Sequence, residues 1–370
     1  MRRYSCPNCG NEVHFQNTQC INCSALLGYV PGLDRMLSAD AATSAFGADG
    51  EARAACANRE AISCNWLVIP GKNTHGVAGR LCTSCSRTTI IPDLSAPGNI
   101  ERWARLESAK RLLFYSIEKF HLPLESAGPD GDTTLRFNLK GDKPALDGTI
   151  KRVLTGHENG LITINIAEAD DDVREKNRTA MGEPYRTLIG HFRHEVGHFY
   201  WDCLIRDGGR NSDFTACFGD ASVDYAAALS NHYQNGPPAD WRNHHVSAYA
   251  SAHPWEDFAE TWAHYIHMID ALETAFAYNV TPQPIRAGGT AGTAVTEAAS
   301  LPETPYKLSD WPTLVEAWIP LTVAMNAMSQ SIGNHDFYPF VLTEAILHKL
   351  GFIHDLIQTA DSITMEKSIR

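Results

Sequence analysis

Apolar residues recur at helical spacing over most of the chain beyond residue 100. Between residues 100 and 121 they fall three or four positions apart, which predicts one long helix. The same spacing predicts two helices that start at Pro184 and at Pro254. It predicts three more over residues 218–233, 311–330 and 337–359. Proline suits the first turn of a helix, because the N–H that it lacks has no partner there. The pattern predicts a mainly helical segment over residues 100–370.

Strand signals are short and few. Residues 160–166 alternate apolar and polar side chains, as a half-buried strand does, and residues 134–139 and 66–69 are shorter candidates. The strand at 160–166 precedes the helix predicted from Pro184, so it could offer its edge to an extended peptide or be an ordinary member of a sheet. Together these signals predict an α+β fold with a small sheet.

Eight of the ten cysteines lie in the first 92 residues. Two Cys-x-x-Cys pairs, Cys6 with Cys9 and Cys20 with Cys23, are separated by ten residues. Each pair offers two thiolates from a tight turn, and four thiolates complete a tetrahedron around zinc. We therefore predict a closed, structural zinc site.

Cys56, Cys64, Cys82 and Cys85 form a second set, although its first pair is more widely spaced. His75 could replace one thiolate, but four cysteines are preferred because thiolates are the usual ligands of closed sites. We predict a double zinc-ribbon domain over residues 1–92, a linker over 93–99 and a zincin-like domain over 100–370.

Charge and composition exclude several classes of protein. The formal net charge is −12, and the first 100 residues are nearly neutral, with 8 Lys+Arg against 7 Asp+Glu. This argues against nucleic-acid binding by most of the chain. No apolar run approaches the roughly 18 residues of a membrane span, and no apolar segment follows the two arginines at the amino terminus. Cysteines that stay reduced then point to the cytoplasm.

The segment from His194 to His198 reads His-Glu-x-x-His. Residues four apart lie on the same face of a helix, so both imidazoles can bind one metal ion, and Glu195 can hold a water beside it. The helix is expected to start at Pro184 and to end at residues 207–209. This is the arrangement of zinc hydrolases.

A catalytic zinc needs a third protein ligand. The metzincin continuation would place Gly and His at positions that hold Trp201 and Leu204, so that pattern is excluded. The next glutamate after Glu195 is Glu256, which opens the helix predicted from Pro254.

Glu256 and Glu260 share a face of that helix, so one can bind zinc while the other hydrogen-bonds a ligand histidine. Asp257 points about 100° away from Glu256 and is a weaker candidate. Asp220 and Asp224 are alternatives. His191 lies on the side of the two motif histidines, but three ligands from one helix would be crowded, so it is expected in the core or at the rim.

The segment Ser247–Glu260 and the zinc motif, together with Cys64–Leu67 and Gly219–Asp220, resemble a bacterial family of zinc-binding metallopeptidases with an N-terminal zinc ribbon. More distantly, Glu-x-Phe-Ala-Glu with a tyrosine seven residues earlier is similar to the catalytic domain of anthrax lethal factor, a gluzincin. That likeness implies that Glu256 is the third ligand and that Tyr249 assists catalysis. Tyr249 could instead be a buried structural residue.

These observations predict a peptidase with one catalytic and two structural zinc ions. Glu195 would act as the base, His194, His198 and Glu256 as ligands, Tyr249 as an oxyanion donor and Glu260 as support for a ligand. The expected substrate is a peptide or protein, and the ribbons could contact a protein partner. A DNA-associated protease and a catalytically silent interaction module are the alternatives. Residues 281–312 could lie over the cleft or form a plain surface loop, and the acidic run at 170–172 is expected to be a solvated loop or, less readily, a calcium site.

Overall fold

The computed structural model describes residues 1–40, 45–48, 50–70, 80–128, 131–144, 149–181, 183–282 and 301–369. The chain forms two compact units. The amino-terminal unit comprises Arg3–Gly182 and Arg186–Arg210, and the carboxy-terminal unit comprises Met1–Arg2, Glu183–Tyr185 and Asn211–Arg370. The predicted α+β class is confirmed, with a cysteine-rich segment (residues 1–92) followed by mainly helical structure.

The amino-terminal unit contains all of the described strands, which form small sheets. They are β1 (Tyr4–Ser5), β2 (Glu12–Val13), β3 (Leu27–Val30), β4 (Arg35–Ser38), β5 (Phe46–Ala48), β6 (Glu51–Ala55), β7 (Leu67–Val68), β8 (Thr88–Ile90), β9 (Glu125–Gly128), β10 (Gly131–Thr134), β11 (Arg136–Lys140), β12 (Lys143–Pro144), β13 (Ile150–Lys151), β14 (Gly156–Glu158) and β15 (Leu161–Asn165). The described α-helices of this unit are α1 (Arg59–Ile62), α2 (Thr83–Ser86), α3 (Asn99–Lys119), α4 (Asp171–Met181) and α5 (Leu188–Tyr200).

The largest sheet has the order β14-β15-β11-β8. Strand β11 is parallel to both β15 and β8, whereas β14 is antiparallel to β15. Ile162 and Ile164 of β15 are buried and alternate with half-buried residues, which confirms the predicted strand. However, β15 pairs with β11 on one side and with β14 on the other. In the described sheet the outer strand on this side is therefore β14, and not β15.

Helix α3 lies at the centre of the amino-terminal unit. It begins at Asn99, after Gly98 in a left-handed conformation (φ 79°), and agrees with the predicted helix over residues 100–121. Phe114 packs against Phe137 of β11 with ring centroids 6.0 Å apart. Tyr115 packs against Phe15 of the cysteine-rich segment at 5.3 Å. The sheet and the cysteine-rich segment therefore share this helix in one core.

The acidic run at 170–172 was expected to be a solvated loop, but most of it is helical. Asp171 and Asp172 occupy the first turn of α4, which extends to Met181. Carboxylates are stabilised at this position because the helix dipole is positive at the amino terminus. Arg174 also contacts Asp171 one turn away.

Helix α5 carries the His-Glu-x-x-His pattern, but it starts four residues later than predicted. The side chain of Thr187 caps its amino terminus and accepts a hydrogen bond from the amide of Gly190 at 3.0 Å. Beyond Tyr200 the helix continues as a wider π-helical turn over Trp201–Arg206. It ends at Arg206, two residues before Gly208, where a side chain would collide with the carbonyl of Leu204.

The described α-helices of the carboxy-terminal unit are α6 (Asn211–Phe218), α7 (Tyr225–Asn235), α8 (Pro254–Ala277), α9 (Trp311–Ser331) and α10 (Glu344–Ile369). Most residues of α8 are buried, and His253 caps the helix by accepting a hydrogen bond from the amide of Trp255 at 3.0 Å. Tyr265 of α8 is hydrogen-bonded to His354 of α10 at 3.0 Å. The predicted helices from Pro254 and over residues 311–330 are confirmed, and the last helix begins at Glu344 rather than at residue 337.

The helix predicted over residues 218–233 is wrong in its start and in its buried face. Gly219 (φ 101°) ends α6, and α7 starts only at Tyr225, where the side chain of Asp224 caps it. No residue of α7 is buried, and Val223, predicted to be apolar packing, is 51% exposed. Apolar spacing alone did not distinguish this surface helix from a packed one.

Two other predictions fall partly or wholly on residues outside the described ranges. They concern His75 and residues 283–300 of the loop at 281–312. Over the ranges that the structure does cover, no helix is both long and apolar enough to cross a membrane.

Candidate metal centre

The first four cysteines converge as their spacing predicts. Cys6 Sγ lies 3.7 Å from Cys23 Sγ, and Cys9 Sγ lies 3.7 Å from Cys20 Sγ. In a tetrahedron with Zn–S bonds of about 2.3 Å, neighbouring sulfurs are about 3.8 Å apart. The four thiols therefore fit a zinc ion, and their separation is far too long for disulfide bonds of about 2.05 Å.

Each Cys-x-x-Cys turn also supports the other through its asparagine. Asn8 donates to Cys23 Sγ at 3.3 Å, and Asn22 donates to Cys9 Sγ at 3.5 Å. The bond from Asn8, with the amide of Ala25, lowers the pKa of Cys23 to about 6. Because a thiolate is the form that binds zinc, this reciprocal pair of amides prepares the site for the metal.

The second set, Cys56, Cys64, Cys82 and Cys85, converges in the same way and is entirely buried. Cys64 Sγ lies 3.7 Å from Cys82 Sγ and 3.7 Å from Cys85 Sγ. Backbone amides support this set, since the amide of Cys82 donates to Cys56 Sγ at 3.4 Å. The spacing again matches a tetrahedral zinc site, and four cysteines suffice without His75.

Arg111 of α3 provides a buried positive charge beside the second set. Arg111 is 3% exposed, and its Nε and Nη1 atoms donate to no group among the described residues. Hydrogen bonding with Cys56 and burial raise the pKa of Cys64, but bonds with Cys82 and Cys85 and the charge of Arg111 outweigh them and lower it. Four thiolates around Zn²⁺ carry a net charge of about −2, so we interpret Arg111 as the counter-charge of this site.

We expect Arg111→Met to lower the free energy of unfolding of the zinc-loaded protein by about 3–5 kcal/mol, since removing one partner leaves a buried charge uncompensated. Urea denaturation would measure the change. Arg105→Met, at an exposed position of the same helix, is the control and should stay near the wild-type value. If Arg111 were an unpaired buried cation, the methionine variant would instead be more stable.

The third group lies around α5. His194 and His198 face the same side of the helix, with ring centroids 4.9 Å apart, and His198 is buried. Glu195 is also buried, and its Oε1 lies 3.4 Å from Nε2 of His191. Burial raises the pKa of Glu195, but hydrogen bonding to His191 and the charges of the neighbouring histidines outweigh this effect and hold it below its ordinary value. His191 is half-buried, is thus a partner of Glu195, and is not a member of the ligand group.

Glu256 is the carboxylate that joins the two histidines. One ligand atom from each of His194, His198 and Glu256 lies within 4.8 Å of the others. Glu256 is 1% exposed and lies in the first turn of α8. Two imidazoles and one carboxylate are the ligand set of a catalytic zinc site, which keeps a fourth position open.

The alternative acidic residues have other partners and lie outside this group. Asp220 accepts a hydrogen bond from the amide of Ser222 at 2.8 Å, and Asp224 caps α7. Asp257 accepts from Nζ of Lys349 at 2.6 Å.

Two further predicted residues lie near the start of α8. Glu260 accepts a hydrogen bond from Ser247 at 2.6 Å. Tyr249 lies in a short 3₁₀ helix (Tyr249–Ala252), and its ring is 6.0 Å from that of His232. The support of a ligand by Glu260 and the catalytic role of Tyr249 both stay predictions.

Two residues next to the ligands were not foreseen. The hydroxyl of Tyr225 donates to Oε1 of Glu256 at 2.5 Å. The ring of His157 in β14 stacks on His198 at 6.3 Å, and burial, together with the charge of His198, lowers its pKa to about 4. Both lie more than 30 residues from the ligand that they contact, so no local spacing in the sequence could reveal them.

Comparison with known proteins agrees with this geometry. Residues 99–356 match the family described as "Putative zinc-binding metallo-peptidase", and residues 3–96 match a zinc-ribbon domain. The chain belongs to this metallopeptidase family. The resemblance inferred from the motifs is therefore confirmed, and the histidines and Glu256 all lie within the matched range.

Relatives in the same comparison cover almost the whole chain. Uncharacterized proteins from Mycobacterium bovis and Mycobacterium tuberculosis are 38% identical over 358 residues, which is 96% of this chain and 95% of each relative. No solved structure matches the chain. Zinc binding by this family member is thus supported by the family and by the three ligand groups.

Proposed function

We propose that this chain is a zinc-dependent peptidase of the gluzincin type that hydrolyses peptide bonds. The observation that carries the proposal is the group formed by His194, His198 and Glu256. A carboxylate that is not a ligand, Glu195, follows the first histidine directly on the same helix. Such a group is suited to hydrolysis, because it combines an open metal position with a neighbouring base.

Zinc held by these three residues would lower the pKa of a coordinated water and polarise the scissile carbonyl. Glu195 takes the proton of the attacking water and delivers it to the leaving amine. Its lowered pKa supports this role, because an ionised carboxylate is the form that accepts a proton. Tyr249 donates its O–H to the developing oxyanion, a contribution of about 10²–10³ in rate for one such donor.

We infer a total of three zinc ions, one catalytic and two structural, from the three ligand groups. All ten cysteines lie among the described residues and none is in a disulfide bond, which favours a reducing compartment such as the cytoplasm. The substrate is proposed to be a peptide or protein. A protein partner for the cysteine-rich segment is a further proposal, since none of its cysteines belongs to the His/Glu group.

The test is cleavage of a diverse peptide library by the full chain. We expect cleavage products with the zinc-loaded protein, loss of cleavage with a chelator, and recovery when zinc is added back. The absence of cleavage of every peptide by a folded protein with three zinc ions would contradict the proposal and favour a silent interaction module.

A further inference from the structure

The tyrosine that contacts the third ligand comes from an exposed helix, α7. Helix α7 buries none of its residues, yet Tyr225 in its first turn donates a hydrogen bond to the buried carboxylate of Glu256 at 2.5 Å. A distance of about 2.5–2.7 Å is typical of an O–H donor on an ionised carboxylate. The contact therefore has the length of a charge-assisted hydrogen bond, and its acceptor is the proposed third ligand.

The start of α7 is fixed in place by the residues that begin α8. The carbonyl of Val223 lies 3.1 Å from Nε2 of His253, whose Nδ1 accepts from the amide of Trp255. Because Nδ1 is an acceptor, Nε2 carries the proton and donates it to Val223. The ring of Tyr225 packs edge-on against His253 at 5.3 Å and against Trp255 at 5.6 Å. The hydroxyl is thus directed at Glu256 by a cap residue and two ring contacts.

We propose that Tyr225 is a positioning residue of the catalytic metal site, which holds Oε1 of Glu256 so that Oε2 is presented to zinc. A free glutamate side chain can rotate and can bind with either or both oxygens. A donor fixed on Oε1 removes that freedom and favours binding through one oxygen. Groups that orient a metal ligand in this way typically contribute about 10–100-fold to metal affinity.

This inference rests on the proposed function, since it needs Glu256 as a zinc ligand. It also gives a reason for the exposed helix α7. Its Leu229 and His232 are only half-buried, so the helix adds little to the hydrophobic core. What α7 does supply is the capped first turn from which Tyr225 reaches the carboxylate.

The experiment compares the full chain with Tyr225→Phe, Tyr233→Phe and Glu256→Ala. Tyr233 lies on the same helix, is 63% exposed and serves as the matched control for loss of a hydroxyl. Zinc affinity of the His/Glu site is measured by competition with a chelator. We expect the dissociation constant to rise about 10–100-fold in Tyr225→Phe and to stay at the wild-type value in Tyr233→Phe.

Replacement of zinc by cobalt gives a second measurement, which distinguishes a change in how Glu256 binds the metal from a loss of folding. After a weak chelator removes the metal from the His/Glu site, Co²⁺ is added and its visible absorption is recorded. Coordination through both oxygens of Glu256 would raise the coordination number and weaken the absorption, so we expect a weaker spectrum for Tyr225→Phe. Unchanged affinity, or reduced affinity with an unchanged cobalt spectrum, would overturn the role of Tyr225. Full retention of three zinc ions by Glu256→Ala would instead overturn the proposed ligand set itself.

Discussion

Glu195→Gln is expected to reduce peptide cleavage by about 10²–10⁴-fold, the contribution typical of a general base, while all three zinc ions remain bound. Glutamine has nearly the same shape but cannot accept the proton of the attacking water. Glu195 lies outside the ligand group of His194, His198 and Glu256, so its replacement removes no bond to the metal. The loss should therefore fall on the rate and not on zinc content.

The rate is measured with one library peptide that the wild-type protein cleaves, and zinc is counted by elemental analysis of the same samples. Glu316→Gln, at an exposed position of α9, is the control and should leave both values unchanged. A Glu195→Gln protein that cleaves at the wild-type rate would show that another group acts as the base. Loss of zinc together with activity would show that Glu195 contributes to metal binding.

Metal ligands were predicted from the sequence where their spacing is local. Cys-x-x-Cys places two thiols in one turn, and His-x-x-x-His places two imidazoles on one helical face, so geometry follows directly from the separation along the chain. The prediction of Glu256 as a ligand required more than local spacing, because this residue lies on another helix. It could be proposed only from the shortage of glutamates after Glu195 and from the family resemblance, and the structure places it with His194 and His198.

Contacts made between distant segments could not be predicted. Tyr225 and Arg111 act on residues 31 and 47 positions away, and such pairs leave no periodic signal in one sequence. The predicted starts of two helices were wrong for a different reason, since apolar spacing does not show where a cap forms. Thr187 and Asp224 start α5 and α7 through side-chain hydrogen bonds to the backbone, whereas Pro184 and Phe218, which were expected to begin them, do not.

Glu256→Ala is expected to remove the catalytic zinc and, with it, peptide cleavage. Two histidines and solvent are a weaker site than two histidines and a buried carboxylate, because the charge of Zn²⁺ loses its only anionic ligand in the group. The two sets of four cysteines do not include Glu256, so their zinc ions should be retained. The variant therefore separates the catalytic site from the structural sites within one molecule.

Zinc content of the full chain, the Glu256→Ala variant and a Glu316→Ala control, after dialysis against zinc-free buffer, tests the central claim most directly. The proposed ligand set predicts about three zinc ions per chain in the wild type and the control, and about two in Glu256→Ala, from the three ligand groups. Three zinc ions in Glu256→Ala, with cleavage at the wild-type rate, would contradict it.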